Sequence, residues 1–275
     1  MYKQIILRAK KQIFHQMAGN NVSIFDGNGY NFAELREYVA GDDIRHIDWN
    51  ISAKMQKPFV KVFHEEREMR VVIASLLSGS LFFGSKVLKQ EVLAEVVALL
   101  GFSAIKSGNL LQSYLLTNTI EAISKPTKKI HQVEKNIQEI VNFSLVNKKV
   151  DFDFVAKTLY TRVKRKSLLF LVGDFFDIPK LKLLAKKHEV IVIIVRDKLE
   201  ENPPPMGFVS FLDPQNGAIF EGDFVEEDAK RYHQKVKEYD DILFKTLKKD
   251  GVRFVKVYTH IDISMQLRKL FEGRK

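Results

Sequence analysis

Apolar stretches of strand length alternate with longer stretches of helix length from about residue 69 to the end of the chain. Strands that are apolar throughout are typical of a sheet covered on both faces, and helices make the connections between parallel strands. The alternation therefore predicts an α/β fold, with a mostly parallel sheet flanked by helices. The longest apolar run, 92–105, contains Glu95 and is shorter than the roughly 20 residues that span a bilayer, so we expect a core helix.

The predicted elements of this α/β part follow from its periodicity. Strands are expected at 69–77, 110–117, 119–124, 167–172, 190–195, 207–211 and 252–258. Helices are expected at 86–107, 128–143, 152–164, 179–188, 226–249 and 263–271. Three consecutive prolines at 203–205 cannot continue a helix or a central strand, so they predict a loop.

The chain before this alternation has a different character. Its first 17 residues are amphipathic and predict a helix, and turn-forming and charged segments follow them. We therefore place a domain boundary near Arg67. This gives an N-terminal region at 1–67 and an α/β domain at 68–275.

The segment 29–54, GYNFAELREYVAGDDIRHIDWNISAK, has the most distinctive composition in the N-terminal region. It holds five carboxylates, two arginines and the only tryptophan of the chain. Phe32, Leu35 and Val39 recur at helical spacing and predict a helix over 31–39. Gly41 is a typical helix stop.

The acids after Gly41 admit two interpretations. In the first, Asp42 or Asp43 caps a turn, Arg45 reaches back to Asp42, and Trp49 is a packing anchor. The structural motif then consists of Arg36, Asp42, Asp43, Arg45, Asp48 and Trp49.

The second interpretation is a metal-dependent hydrolase or nuclease that uses the acids Asp42, Asp43 and Asp48, with His46 beside them. We favour the structural interpretation, because interleaved Asp and Arg at helical spacing are typical of a paired polar layer. In addition, His46 lacks a second histidine at metal-binding spacing.

Composition limits the partners. The chain has no cysteine, which excludes disulfides and thiolate chemistry and suits a reducing compartment, so we expect a cytoplasmic protein. Its net charge of +10 comes from scattered basic pairs without a nucleic-acid motif, so we expect no nucleic-acid partner. A weaker alternative is peripheral contact with anionic membrane through the N-terminal helix. Its basic residues are Lys3, Arg8, Lys10 and Lys11.

Polar residues directly follow two predicted strands. Ser78, Gly79 and Ser80 come after the first strand, and Asp174 and Asp177 come after the strand at 167–172. Ligands of a mostly parallel sheet bind at the carboxyl ends of its strands, and hydroxyl and carboxylate oxygens suit Mg²⁺ or Ca²⁺. Turns that cap the next helices would use the same residue types.

The sequence has no Gly-rich phosphate loop and no recognisable histidine base for a serine, so we predict no enzyme.

Several segments also carry a family resemblance. They are 32–38, GDDIRHIDW at 41–49 with 52–54 after it, Gly79 and Ser80, GDFFD at 173–177 and HEVIVIIVRDKLE at 188–200. The chain resembles, over nearly its whole length, the bacterial family known as domain of unknown function 58, which carries a von Willebrand factor A-like domain. The resemblance implies a Rossmann-like, mostly parallel sheet with a small N-terminal region, and association with MoxR-type AAA+ ATPases.

The resemblance further implies a metal-ion-dependent adhesion site, from which this chain departs. Ser78, Ser80 and Asp174 match its serines and a later acid, but Leu76 stands where an Asp usually begins the site. Thr127 is the nearest candidate for the usual threonine. We expect a degenerate site that holds Mg²⁺ weakly if at all, because a hard cation prefers more carboxylates.

The expected function is a non-enzymatic protein-interaction module. Together with the resemblance, the sequence predicts an adaptor or assembly factor that works with a MoxR-type AAA+ ATPase. The expected contact surface is formed by Ser78, Ser80, Asp174 and Asp177.

Overall fold

The computed structural model describes residues 1–18, 32–63 and 69–268. The chain divides into two compact units, one formed by Met1–Ile24 with Met69–Lys275 and the other by Phe25–Glu68. The first helix, α1 (Tyr2–Ala18), belongs to the larger unit, because it packs on the long helix α3 (Lys89–Lys106). The expected N-terminal region at 1–67 is corrected accordingly. The expected boundary residue, Arg67, lies outside the described residues.

The described part of the smaller unit, residues 32–63, contains a two-stranded antiparallel sheet and one short helix. Its elements are β1 (Phe32–Glu37), α2 (Trp49–Met55) and β2 (Phe59–Phe63), with a 3₁₀ turn at Ile44–His46. The helix predicted over 31–39 is therefore wrong where the structure describes it. Backbone pairing with β2, a partner more than 20 residues away, overrides the helical spacing of the apolar side chains.

The larger unit is built on a six-stranded sheet. Its strands are β3 (Arg70–Leu76), β4 (Leu110–Leu116), β5 (Ile120–Ile123), β6 (Leu168–Gly173), β7 (Glu189–Arg196) and β10 (Arg253–Tyr258). Their order is β10-β7-β6-β3-β4-β5, and every neighbouring pair is parallel except β4 with β5. The mostly parallel α/β sheet expected from the sequence is confirmed.

Helices cover the sheet. Besides α1 and α3 they are α4 (Ile130–Asn142), α5 (Phe152–Arg162), α6 (Lys182–Lys187), α7 (Lys198–Glu201), α8 (Glu226–Lys249) and α9 (Ile263–Arg268). Helix α3 is buried along most of its length, because the sheet contacts one side and α1 and α4 contact others. Among the described residues, no helix is long and apolar enough to cross a membrane.

One predicted strand does not join this sheet. The segment predicted at 207–211 forms β8 (Gly207–Leu212), whose one strand partner among the described residues is β9 (Ile219–Phe224), in a separate antiparallel hairpin. Strand β9 was not predicted. We call residues 207–224, which are β8, β9 and the turn between them, the arm. The last three residues of the helix predicted at 263–271 lie outside the described part of the chain.

Candidate functional site

The three residues of the predicted strand-end site come together. Strands β3 and β6 are parallel neighbours, so the residues that follow them meet at the same edge of the sheet. The Ser78 hydroxyl lies 3.2 and 3.3 Å from the two carboxylate oxygens of Asp174 and 2.9 Å from the Ser80 hydroxyl. Ser80 also donates a hydrogen bond to Asp174. Ser78 and Asp174 are buried.

A lysine that was not among the predicted site residues also belongs to this site. Lys89, at the start of α3, is 0% exposed, and its Nζ lies 3.6 Å from Asp174 Oδ2. The same ammonium donates to Glu200 and lies 5.0 Å from the ring centroid of Phe176. Burial raises the pKa of Glu200, and the charge of Lys89 opposes that rise. A positive charge is therefore built into the cluster.

The residues of this site do not fit a divalent cation. Leu76, which replaces the expected Asp, is buried in the core cluster beneath the sheet edge. A side chain on Gly173 would meet the Leu76 Cβ at 2.9 Å, so the neighbouring strand packs directly on Leu76. Asp174, the one carboxylate among the three expected ligands, already faces the ammonium of Lys89, which would repel a metal ion. No group of three acids or histidines in the described part of the chain could hold a metal.

The expected threonine candidate lies elsewhere. Thr127 forms a backbone bridge with Leu111, which is at the amino end of β4 and thus at the opposite edge of the sheet from Ser78. The threonine that does follow β4 is Thr117, whose hydroxyl donates to Glu121 at 2.8 Å. The prediction that Thr127 stands for the usual threonine of the site is therefore wrong.

A second buried ion network adjoins the first. The guanidinium carbon of Arg196, at the end of β7, lies 3.8 Å from the Phe176 ring centroid, and its Nη2 lies 3.4 Å from Asp240 Oδ1. The ammonium of Lys256 lies 2.6 Å from Glu201 and 2.5 Å from Asp240. Burial alone would lower the pKa of Lys256, but hydrogen bonds to these two acids raise it. The charges pair internally, as in a structural network.

The carboxylate of the buried acid Asp197 accepts hydrogen bonds from several neighbouring residues. Its carboxylate accepts from the Ser85 amide and hydroxyl, both at 2.9 Å, from the Leu199 amide at 2.8 Å and from the Thr259 hydroxyl. Burial would raise the pKa of Asp197, but these hydrogen bonds lower it overall. Asp197 therefore ties the loop after β7 to the segments before α3 and after β10.

The tip of the arm covers the strand-end site. Gln215 Nε2 lies 3.2 Å from Ser80 Oγ, and the Asn147 amide donates to the Pro214 carbonyl at 3.0 Å. A Cβ on Gly79 would stand 2.4 Å from the same Pro214 carbonyl oxygen, so this close approach requires glycine.

This cover changes the expected contact surface. The arm tip lies on Ser80, and both Ser78 and Asp174 are buried, so they do not present themselves to a partner directly. Ser80 is only partly exposed. Of the four residues expected to contact a partner, Asp177 alone is exposed.

The acids of the N-terminal motif are paired, and Asp43 caps the turn at Ile44–His46 as predicted, but the partner of Arg45 differs. Asp42 accepts two hydrogen bonds from Arg36, at 2.7 and 2.8 Å, and one from the Val39 amide. Arg45 binds Asp43 and not the predicted Asp42. Hydrogen bonds from Arg36 lower the pKa of Asp42, and hydrogen bonds from Arg45 hold the pKa of Asp43 well below its usual range.

The third acid of the motif caps a helix. Asp48 accepts from the amides of Asn50 and Ile51 at the start of α2, and Lys61 lies 2.8 Å from its other oxygen. A hydrogen bond from Lys61 and those from the backbone lower the pKa of Asp48. Trp49 is 69% exposed, so its prediction as a packing anchor is wrong. Since each acid has its own local partners, the three do not form an open catalytic cluster.

All four basic residues of α1 are exposed, and two of them also pair with acids of other helices. Lys10 lies 2.6 Å from Glu134 of α4, and Arg8 lies 3.5 Å from Glu95 of α3. Lys3 and Lys11 are exposed. A membrane-binding face on α1 would therefore compete with pairing inside the fold.

Comparison with known proteins identifies the family. The model of the family described as "Protein of unknown function DUF58" matches residues 34–241. The chain belongs to the DUF58 family. This DUF58 protein is 24% identical over 223 residues to the uncharacterized protein Rv1480 of Mycobacterium tuberculosis, covering 78% of this chain and 70% of that one. The uncharacterized protein Mb1516 of Mycobacterium bovis matches equally well.

Solved structures give more distant likenesses. The conserved hypothetical protein BatB from Bacteroides thetaiotaomicron matches with a TM-score of 0.43 and 9% identity, covering 74% of this chain and all of that one. The SpRpn10 VWA domain matches with a TM-score of 0.40 and 9% identity, covering 74% of this chain and 94% of that one.

Proposed function

We propose that this DUF58 protein is a non-enzymatic, cytoplasmic protein-interaction module, an adaptor or assembly factor that works with a MoxR-type AAA+ ATPase. The observation that supports this most is the closed state of the strand-end site. Ser78 and Ser80 hydrogen-bond to each other and to Asp174, and Gln215 donates to Ser80. No histidine is among the hydrogen-bond partners of the two serines in the described residues. A serine nucleophile needs a base and an open approach. The ATPase partner is proposed from the family resemblance.

Partner binding by this site is proposed to be independent of metal. An adhesion site of the A type presents a bound cation to a carboxylate of the partner. Here the positive charge belongs to Lys89, which is buried and neutralised by Asp174 and Glu200. A partner therefore binds through polar and apolar contacts at the surface above the site, and the charge cluster holds that surface in place.

The test is a binding measurement with the MoxR-type ATPase of the same organism, by biolayer interferometry. The ATPase is used without nucleotide, because chelation would otherwise also strip Mg²⁺ from its ATP. We expect the same Kd in Mg²⁺ and in EDTA. Binding that disappears in EDTA would overturn the metal-independent mode, and the absence of binding in every nucleotide state would overturn the adaptor role.

Two variants locate the contact. Asp177→Ala removes an exposed carboxylate at the strand-end edge and should weaken binding without changing the fold. Glu189→Ala, at the amino end of β7 and thus at the opposite edge of the sheet, removes an exposed carboxylate and is the matched control. Circular dichroism confirms that both variants keep the wild-type structure.

A further inference from the structure

The arm exposes an apolar face that no other part of the described chain covers. Strand pairing places Leu212 opposite Ile219 and Phe208 opposite Asp223, so alternation brings Phe208, Leu212 and Ile219 to one face. These three side chains are 71%, 64% and 63% exposed. Folded proteins rarely expose such groups together without a binding role. We call this surface the outer arm face; it consists of Phe208, Ser210, Leu212, Ile219, Glu221 and Asp223.

The opposite face of the arm contacts the fold through Phe224, although Phe220 on the same face is 64% exposed. Phe211 packs edge-on against Phe224 with ring centroids 5.7 Å apart, and Phe224 packs in the same way against Tyr232 of α8 at 6.4 Å. The tip is fixed by Gln215 and Pro214 at the strand-end site. The outer arm face is therefore presented on a supported element.

The charge around this face is opposite to that of the rest of the chain. Residues 207–228 contain six acids and no lysine or arginine, in a chain whose net charge is +10. Two of the acids, Glu221 and Asp223, stand on the outer arm face, and neither has an ion-pair partner among the described residues. An acidic rim beside exposed apolar side chains complements a surface that is apolar and basic.

The position of the arm connects it with the proposed function, on which the following inference rests. Since the tip of the arm covers Ser80 and the buried Asp174, a partner that approaches this edge of the sheet meets the arm first. We propose that the outer arm face is the docking surface for the ATPase partner. The matching surface on that partner is an apolar groove bordered by lysine or arginine.

Other occupants fit this face less well. Anionic lipid and nucleic acid would be repelled by the six acids of the segment. A second copy of the chain, bound arm to arm about a two-fold axis, would bring together two acidic faces with no lysine or arginine in either arm, and like charges at an interface disfavour association.

The experiment measures the Kd for the nucleotide-free ATPase with variants of the arm. Phe208→Ser/Leu212→Ser should weaken binding at least about tenfold, because each buried apolar side chain contributes on the order of a tenfold change. Leu183→Ser, a 66% exposed leucine on α6, is the matched control and should bind as the wild type does. Glu221→Lys/Asp223→Lys should also weaken binding, and added salt should then have a smaller effect than on the wild type. Asp241→Lys, an exposed acid of α8, is the control for charge.

The outcomes separate this inference from the proposed function. Wild-type binding that both arm variants retain overturns the arm as docking surface and leaves the adaptor role standing. The absence of wild-type binding in every nucleotide state overturns both. A wild-type dimer in analytical ultracentrifugation that Phe208→Ser/Leu212→Ser dissociates would assign the face to a second copy and overturn the inference. Selective loss of ATPase binding in the arm variants, with both controls intact, supports it.

Discussion

Replacing Lys89 by methionine tests the built-in charge of the strand-end site. The variant keeps a side chain of similar length but removes the ammonium that contacts both Asp174 and Glu200. The two carboxylates are almost entirely shielded from water, so each would lose its nearest cation inside the fold. Removing one partner of a buried ion pair typically costs ~3–5 kcal/mol. We expect the free energy of unfolding to fall by about 3 kcal/mol or more at pH 7.5.

The same variant should respond to pH in a definite direction. Burial raises the pKa of Glu200 above its unfolded value, and loss of Lys89 raises it further, because that ammonium lowers it in the wild type. A raised folded pKa contributes stability that is present below the unfolded pKa and is lost as the pH rises through the folded pKa. The penalty of Lys89→Met should therefore be largest at neutral pH and smaller in mild acid.

The assay is urea unfolding followed by circular dichroism at several pH values. Far-UV dichroism is preferable to tryptophan fluorescence, because Lys89 lies in the larger unit and the single tryptophan, Trp49, lies in the smaller one. Lys230→Met is the control: Lys230 forms an exposed pair with Glu226 four residues away, and its loss should cost less than about 0.5 kcal/mol. Lys89→Met/Glu200→Gln should recover about 1 kcal/mol or more, since it removes one orphaned charge. A penalty for Lys89→Met no larger than that of the control would refute the reasoning.

Three further predictions concern the metal, the arm and the motif. Mg²⁺ should not raise the melting temperature, because the strand-end residues do not fit a divalent ion; a saturable rise in thermal-shift assays would contradict this. Gly79→Ala forces a methyl group against the Pro214 carbonyl, so limited proteolysis should cut the arm faster, and an unchanged rate would show that the tip is not held there. Asp42→Asn removes a carboxylate whose pKa Arg36 lowers; that stabilisation is present above the ordinary aspartate pKa and is lost as the pH falls through the lowered one. The smaller unit of Asp42→Asn, followed by Trp49 fluorescence, should thus be less stable than that of the wild type at pH 7. The stabilities of the two proteins should converge well below pH ~4.

Local pattern was enough to locate much of the larger unit. The helix predicted at 226–249 is found at those bounds, because its charge pattern and periodicity are local properties. The rule that residues after parallel strands meet at one edge brought Ser78, Ser80 and Asp174 together correctly. That rule needs only strand positions, which the apolar runs provide.

What the sequence could not provide depends on distant contacts. Lys89 looks like an ordinary exposed residue at a helix start, and only the fold shows that it is buried against Asp174, which follows β6, and Glu200, which lies in α7. The strand at 207–211 could not be assigned to a hairpin until its partner β9 was known, because β9 carries Gly222 and two acids that weaken a strand pattern. Trp49 was expected in the core on account of its size, but its helix begins at a cap that turns it outward.

The place of β3 in the sheet has a consequence for how the protein is made. Strand β3 is the first of the six to leave the ribosome, yet it lies between β4 and β6. When β4 has emerged, it can pair with one edge of β3. The other edge of β3 stays unpaired until β6 is made, almost a hundred residues later. During that interval an apolar strand has an open edge, which is a state prone to mispairing. Nascent chains that end before Leu168 should therefore depend on chaperones more than longer ones do.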